Sequence, residues 1–153
     1  MKIEELVNRL DEIGVSKNSY SLTEGIEEKF YLIENNFFFE FYFLKQGAKR
    51  MYKFFESEEQ ACKFFYEFII ENKNKDKYWV YKNTIQENEK FKINGINIWD
   101  TEWRSTNKYI SVEDPLYNQP FLFEIYELKT KKEKIIFAAG EFSNGIWGIY
   151  QKV

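Results

Sequence analysis

Phe37-Phe38-Phe39-Glu40-Phe41-Tyr42-Phe43-Leu44 is the stretch on which the fold turns. Successive side chains of a strand point to opposite faces. Phe37, Phe39, Phe41 and Phe43 therefore share one face, and Phe38, Glu40, Tyr42 and Leu44 share the other. The all-Phe face demands a cover, whereas the face carrying a carboxylate is expected to be only partly covered. Upstream, residues 29–34 form a second strand pattern, and Asn35-Asn36 between the two tolerates the positive φ angles of a tight hairpin turn. Downstream, Gln46-Gly47-Ala48 turns the chain into a third strand over about residues 50–55.

The cover for the Phe face follows directly. Ser57-Glu58-Glu59-Gln60 has the Ser-x-x-Gln form of a capping box, and behind it Ala61, Phe64, Phe65, Phe68 and Ile69 make one helical stripe. A further helix opens the chain, with Ile3, Leu6, Val7, Leu10 and Ile13 at helical spacing and Gly14 where the helix must stop.

From Asn72 to Lys77 the chain turns polar and charged, and beyond it the periodicity changes from helical to two. We place a boundary there, giving an N-terminal lobe over 1–74 and a C-terminal lobe over 77–153, with one continuous domain as the alternative. The second lobe reads as strands at 78–81, 91–93, 96–103, 108–112, 121–128, 135–139 and 146–150. Asn94-Gly95 signals a type I′ hairpin, and turns at 130–132 and 143–145 make the last three strands a meander. The expected class is α+β: an N-terminal helix, an antiparallel three-stranded sheet with a covering helix, then a β-rich antiparallel meander lobe.

At 153 residues the chain can bury roughly two-thirds of its unfolded surface, and with sixteen Phe and eleven Tyr it is far from a disordered composition. Its longest apolar run, residues 36–44, is too short to span a bilayer and is broken by Glu40. The acidic start and the single cysteine, Cys62, point to a reducing, cytoplasmic setting. Charge is uneven: residues 1–76 hold eleven Lys/Arg against fifteen Asp/Glu, while residues 77–153 hold eleven against ten. An acidic first lobe argues against direct nucleic-acid binding and against no protein partner.

Chemistry is scarce. With no histidine, Ser-His-Asp, Cys-His and His-ligated metal sites are excluded together, and one cysteine cannot supply a zinc set. Cys62 beside an apolar stripe is expected to be a neutral, structural thiol. Asp114 followed by Glu127-Leu128-Lys129 resembles the Asp…Glu-x-Lys pattern of metal-dependent nucleases, where carboxylates hold Mg²⁺ and a lysine helps activate water. In a chain with 31% charged residues the same pattern also arises as an ordinary cross-strand or same-face ion pair. The acidic pairs Asp100 with Glu102 and Glu113 with Asp114 read as solvated strand ends. No glycine lies in a phosphate-binding loop, and no cofactor is implied. Gly140, Gly145 and Gly148 read as positions of tight turning and close backbone approach, with Trp147 packed between strands.

Four Trp and eleven Tyr beside an acidic lobe suit recognition of a basic macromolecule. For contacts we single out Glu27, Glu28, Glu34 and Glu40 with Tyr31 and Tyr42 of the first sheet.

Two stretches carry a resemblance. Gly14-Val15, Asn18-Ser19-Tyr20-Ser21-Leu22, the aromatic hairpin and Phe54-Phe55-Glu56-Ser57-Glu58-Glu59-Gln60-Ala61-Cys62-Lys63-Phe64-Phe65 form the first. Glu113-Asp114-Pro115-Leu116-Tyr117-Asn118-Gln119 with Phe137-Ala138-Ala139-Gly140-Glu141-Phe142-Ser143-Asn144-Gly145 forms the second. Over about half of the chain these resemble small immunity proteins of bacterial polymorphic-toxin and contact-dependent growth inhibition systems. At Thr23-Glu24-Gly25-Ile26-Glu27-Glu28 the chain departs from that pattern, which has a glycine pair and a proline. The resemblance implies a cytoplasmic, non-enzymatic protein that binds the toxic C-terminal domain of a cognate effector, a nuclease with a basic cleft being one such target. The readings set against it are the metal-dependent nuclease and a homo-oligomeric scaffold.

Overall fold

The computed structural model describes residues 1–73, 75–85, 92–93, 95–98, 101–114, 119–145 and 147–153. The expected positions Asn74, Phe91, Asn94, Trp99, Asp100 and Ile146, and residues 115–118, lie outside the described residues. The class is α+β, and the chain divides into two units, Met1–Lys73 and Asn74–Val153.

In the first unit, α1 (Ile3–Glu12) buries Leu6 and Leu10 completely. It stops at Gly14, whose φ of 78° places it in the left-handed region. Gly14 N donates to Asp11 O (3.0 Å) and Val15 N to Leu10 O (3.0 Å), the two bonds of a Schellman end. Lys2, before the helix, supplies no side-chain cap. Its first N–H, from Ile3, is instead accepted by Glu58 Oε1 at 2.8 Å. Glu58 lies in the first turn of α2 (Glu58–Lys73), which begins where Ser57 Oγ accepts from Gln60 N at 3.2 Å. One carboxylate thus ties the starts of two helices together.

The sheet of this unit has four strands, β1 (Tyr20–Ser21), β2 (Phe30–Glu34), β3 (Phe39–Lys45) and β4 (Ala48–Phe55), hydrogen-bonded in that order. β1 is a short strand parallel to β2 that the alternation pattern does not announce. α2 packs on the Phe face: the Phe41 ring lies 5.0 Å from Phe64, 5.0 Å from Phe68 and 5.9 Å from Phe65, each at a steep interplanar angle. Such edge-to-face pairs add about 0.5–1.5 kcal/mol each beyond the area they bury.

The β2–β3 connection differs from expectation. Glu34 pairs with Phe39, so the loop is the four residues 35–38, closed by Asn35 N to Phe38 O at 2.9 Å. Neither asparagine has a positive φ. A two-residue turn would have set Tyr31 opposite Glu40, whereas the observed register sets it against Tyr42 with rings stacked at 5.1 Å. The type I′ geometry falls at the next turn, on Gln46 (φ 51°) and Gly47 (φ 74°). Opposite Tyr42, β4 carries a bulge at Met51, which sits at φ 58°.

The second unit starts with the single turn α3 (Lys75–Tyr78), so part of the expected polar boundary is helical. β5 (Trp79–Ile85), β8 (Trp103–Glu113), β9 (Pro120–Lys129), β10 (Lys134–Glu141) and β11 (Trp147–Lys152) form an antiparallel sheet in the order β5-β11-β10-β9-β8, with β9, β10 and β11 as the expected meander. A separate hairpin pairs β6 (Lys92–Ile93) with β7 (Ile96–Asn97) about Gly95 at φ 81°. The strand expected over 96–103 is broken, because Thr101 turns back and both its N–H and its hydroxyl reach Ile98 O (3.4 and 3.1 Å). β8 is longer than expected: a bulge with Asn107 at φ 57° interrupts its alternation, and Thr106 Oγ1 donates to Ile125 O (2.6 Å) there.

Both faces of this sheet are apolar. Leu128, Ile135, Phe137, Ala139 and Ile149 gather on one face with Ile98, and Trp79, Ile110, Val112, Phe123, Ile125 and Ala138 on the other with Phe142. Gly140 and Gly148 face each other across β10 and β11 on the second of these. A Cβ at Gly140 would stand 2.5 Å from Phe123 Cδ1, and one at Gly148 would overlap the Phe142 ring. The two rings pack at 5.0 Å over the glycine pair. Trp147, in contrast, is 36% exposed and is not packed between strands as expected.

We expect Gly140→Ala to lower unfolding free energy in urea by about 1–3 kcal/mol, the usual penalty of overpacking. Phe123→Leu should cost less in that background than alone, and additive losses would refute the steric origin. The hydrogen bond from Ile3 holds the Glu58 carboxyl below its ordinary value of 4.5, partial burial opposing it and Lys2 adding to it. A lowered folded pKa gives stability that is complete above the unfolded value and lost as pH falls through the folded one. Glu58→Gln should therefore melt below wild type at pH 7 and converge with it under acid conditions. A gap that persists unchanged in acid would count against the ionic cap.

Candidate interaction surface

The residues singled out in the first sheet divide into two groups. Tyr31 and Tyr42 are buried, at 0% and 2% exposure, so they are not surface contacts. The Tyr31 hydroxyl donates to Glu27 O at 2.7 Å, and a Cβ at Gly25 would stand 3.1 Å from the Tyr31 hydroxyl oxygen. Glu40 is also buried, its two carboxylate oxygens held by Lys49 Nζ at 3.2 and 3.4 Å. That ammonium lies 4.7 Å from the centre of the Tyr42 ring as well. The face expected to be partly covered is buried because the lysine neutralises its one carboxylate, leaving Tyr31, Ile33, Tyr42 and Leu44 to close as an apolar cluster. Burial pushes the Tyr42 hydroxyl above its ordinary value, the Lys49 charge only partly opposing it. Burial alone would lower the Lys49 ammonium, but its bond and attraction to Glu40 outweigh this and raise it.

Glu27, Glu28 and Glu34 are exposed. Glu27 pairs with Lys29 at 2.9 Å, and that hydrogen bond lowers its pKa. Glu28 Oε1 accepts from Gln46 N at 3.0 Å across the start of the next turn.

What the alternation pattern missed is a set of aromatic side chains left exposed on this unit. Phe37 was expected in the core, but the four-residue loop leaves it 89% exposed. Phe54 and Tyr52 of β4 are 58% and 49% exposed. Their rings form a row with the buried pair: Tyr42 to Tyr52 at 6.4 Å, Tyr52 stacked on Phe54 at 6.0 Å, and Phe54 edge-on to Phe38 at 5.3 Å. Burying one such side chain fully is worth about 1.5–3 kcal/mol, a gain that folding leaves largely unused here. Exposed Glu34 and Glu56 flank the row in sequence, one before the loop and one after β4.

The nuclease candidates are not assembled. Asp114 is 2% exposed, not the solvated strand end expected, and its Oδ2 accepts from Ser143 N (3.3 Å) and from the Ser143 hydroxyl, so it pins the β10–β11 turn. Glu127 and Lys129 lie at the far end of β9. Pro120 pairs with Glu113 and Glu127 with Arg104, so about 23 Å of strand separates the two ends. Glu127 is held by Arg104 (3.2 Å) and Lys134 (3.3 Å), the cross-strand ion pair that was the competing reading. Among the described residues no group of three or more His, Cys, Asp or Glu side chains gathers to hold a metal ion. No described helix is long and apolar enough to cross a membrane, which says nothing of β-barrels.

No family model, curated protein or solved structure matches the chain.

Cys62 is buried on α2, and burial with the nearby Glu58 charge raises its thiol to about 11. Thiolate is the reactive form. At pH 8 an aromatic disulfide reagent should therefore leave the native protein essentially unmodified and react stoichiometrically once urea unfolds it. Rapid native-state reaction would contradict the buried placement.

Proposed function

We propose that this chain is an immunity protein: a non-catalytic, cytoplasmic binder that neutralises a protein toxin by forming a tight non-covalent complex. The observation that carries the proposal is the pair of exposed, stacked rings Tyr52 and Phe54, with a further exposed ring, Phe37, in the β2–β3 loop, on the acidic half of the chain. Tyrosine and phenylalanine are enriched in interfaces, and contiguous exposed apolar patches mark interaction sites. The resemblance of residues 14–22, the aromatic hairpin, 54–65, 113–119 and 137–145 to immunity proteins supports the same reading. Acidic residues on this unit favour rapid encounter with a basic target such as a nuclease. Tyr31, Tyr42 and Glu40 then serve by holding the face rigid, while Glu27, Glu28 and Glu34 remain available to a partner.

The test is co-expression with the toxic C-terminal domain of a secreted protein encoded in the adjacent reading frame. Cells should survive only when this chain is present, and the two proteins should co-purify. Continued killing in the presence of folded chain would refute the proposal.

A further inference from the structure

Arg50 is a charged group that the fold leaves unsatisfied. Its Nε is closed off from solvent and has no hydrogen-bond partner. A guanidinium keeps its charge throughout the physiological pH range, so its burial is not relieved by loss of a proton. Buried donors without an acceptor are rare in native folds, and each calls for an explanation. The other two arginines differ, because Arg9 is paired with Glu5 at 2.6 Å and Arg104 with Glu127 at 3.2 Å. Among the described residues no carboxylate pairs with Arg50, although α2, which carries Glu58, Glu59, Glu67 and Glu71, packs on the same face of the sheet.

The bulge at Met51 decides what stands beside this guanidinium. In an unbroken strand residues 50 and 53 point to opposite faces. Here the register shift sets Arg50 opposite Phe43 and Lys53 opposite Phe41, so both cations lie on the Phe face. Met51 adopts a φ of 58° to achieve this, a costly conformation for a residue with a side chain. Bulges re-aim side chains in this way, often beside functional sites. Because Phe41 and Phe43 are two residues apart, the two cations stand about 7 Å apart along the strand direction. Lys53 Nζ lies 6.0 Å from the centre of the Phe64 ring. Across the sheet the facing positions are Phe43 and Phe30 in one row and Phe41 and Leu32 in the next, none of them acidic. No strand lies beyond β4.

We propose that Arg50 and Lys53 form an oxyanion site at the border of the first sheet, and that it takes a phosphate monoester. A carboxylate carries one charge and matches one cation, whereas a phosphate monoester carries nearly two and offers three oxygens. Two of them suit the planar fork of Arg50 and the third the point charge of Lys53. Tyr52 lies beside Tyr42 and Phe54 opposite Glu40, on the other face, so this site is separate from the partner surface proposed above.

The experiment follows the Nε–Hε signal of Arg50 by two-dimensional NMR at pH 7, where a buried Nε exchanges slowly enough to be seen. Glycerol 3-phosphate should shift the signal saturably, and acetate at matched ionic strength should bind at least tenfold more weakly. Binding should weaken as the pH falls through about 6, where a phosphate monoester takes up its second proton. Arg50→Gln should abolish the saturable shifts of neighbouring amides, Lys53→Gln should weaken them at least fivefold, and Tyr52→Ser on the other face should leave them unchanged. A short phosphoserine peptide titrated in parallel distinguishes a phosphorylated side chain from a small ester, the tighter of the two naming the source. No saturable shift with either ester, acetate binding as tight, affinity unchanged at low pH, or binding that survives Arg50→Gln would overturn the proposal. The wild-type titration decides the matter even where a variant fails to fold.

Discussion

Enclosing the Phe41 ring is the constraint on which the first unit is built. Phe41 is fully buried in the middle of β3, and three phenylalanines of one helix meet it edge-on or nearly so. Phe30 from β2 lies alongside, 6.2 Å away and almost parallel, and itself meets Phe68 at 5.0 Å. To bring Phe64, Phe65 and Phe68 over a single ring, α2 must start at a fixed place, and Ser57 and Glu58 set that place by capping α2 and α1 respectively. Helix, sheet and cap are therefore parts of one packing solution.

Much of this was legible in the residues. The helical stripe ending at Gly14, the Ser57 cap and the all-Phe face of β3 each depend on local periodicity or local hydrogen bonding, which sequence encodes directly. What escaped depended on partners distant in the chain. β1 has only two residues and pairs in parallel with β2, so no alternation marks it. The four-residue loop at 35–38 reflects the preference of Tyr31 for Tyr42, a cross-strand choice that the Asn35-Asn36 dipeptide does not reveal. The bulge at Asn107 hides a long strand by shifting its phase.

The candidate surface follows the same division. Acids at 27, 28 and 34 were recognisable as exposed, yet Glu40 and the two tyrosines looked like surface only until Lys49, nine residues from Glu40, was found to neutralise it. Phe37 was placed in the core for a related reason: its parity is right, but the strand begins two residues later. Asp114 illustrates the reverse error, since a charge expected at the surface is buried by a serine twenty-nine residues away.

The bulges at Met51 and Asn107 have one more consequence. Each lies on an outermost strand, β4 in the first sheet and β8 in the second, and each kinks that strand with a non-glycine residue in the left-handed region. A chain that is one-fifth aromatic has much to lose from sheets that extend from molecule to molecule. Kinked borders offer a poor template for the flat, in-register stacking of fibrils, so these two edges oppose sheet extension between molecules that display bare aromatic rings.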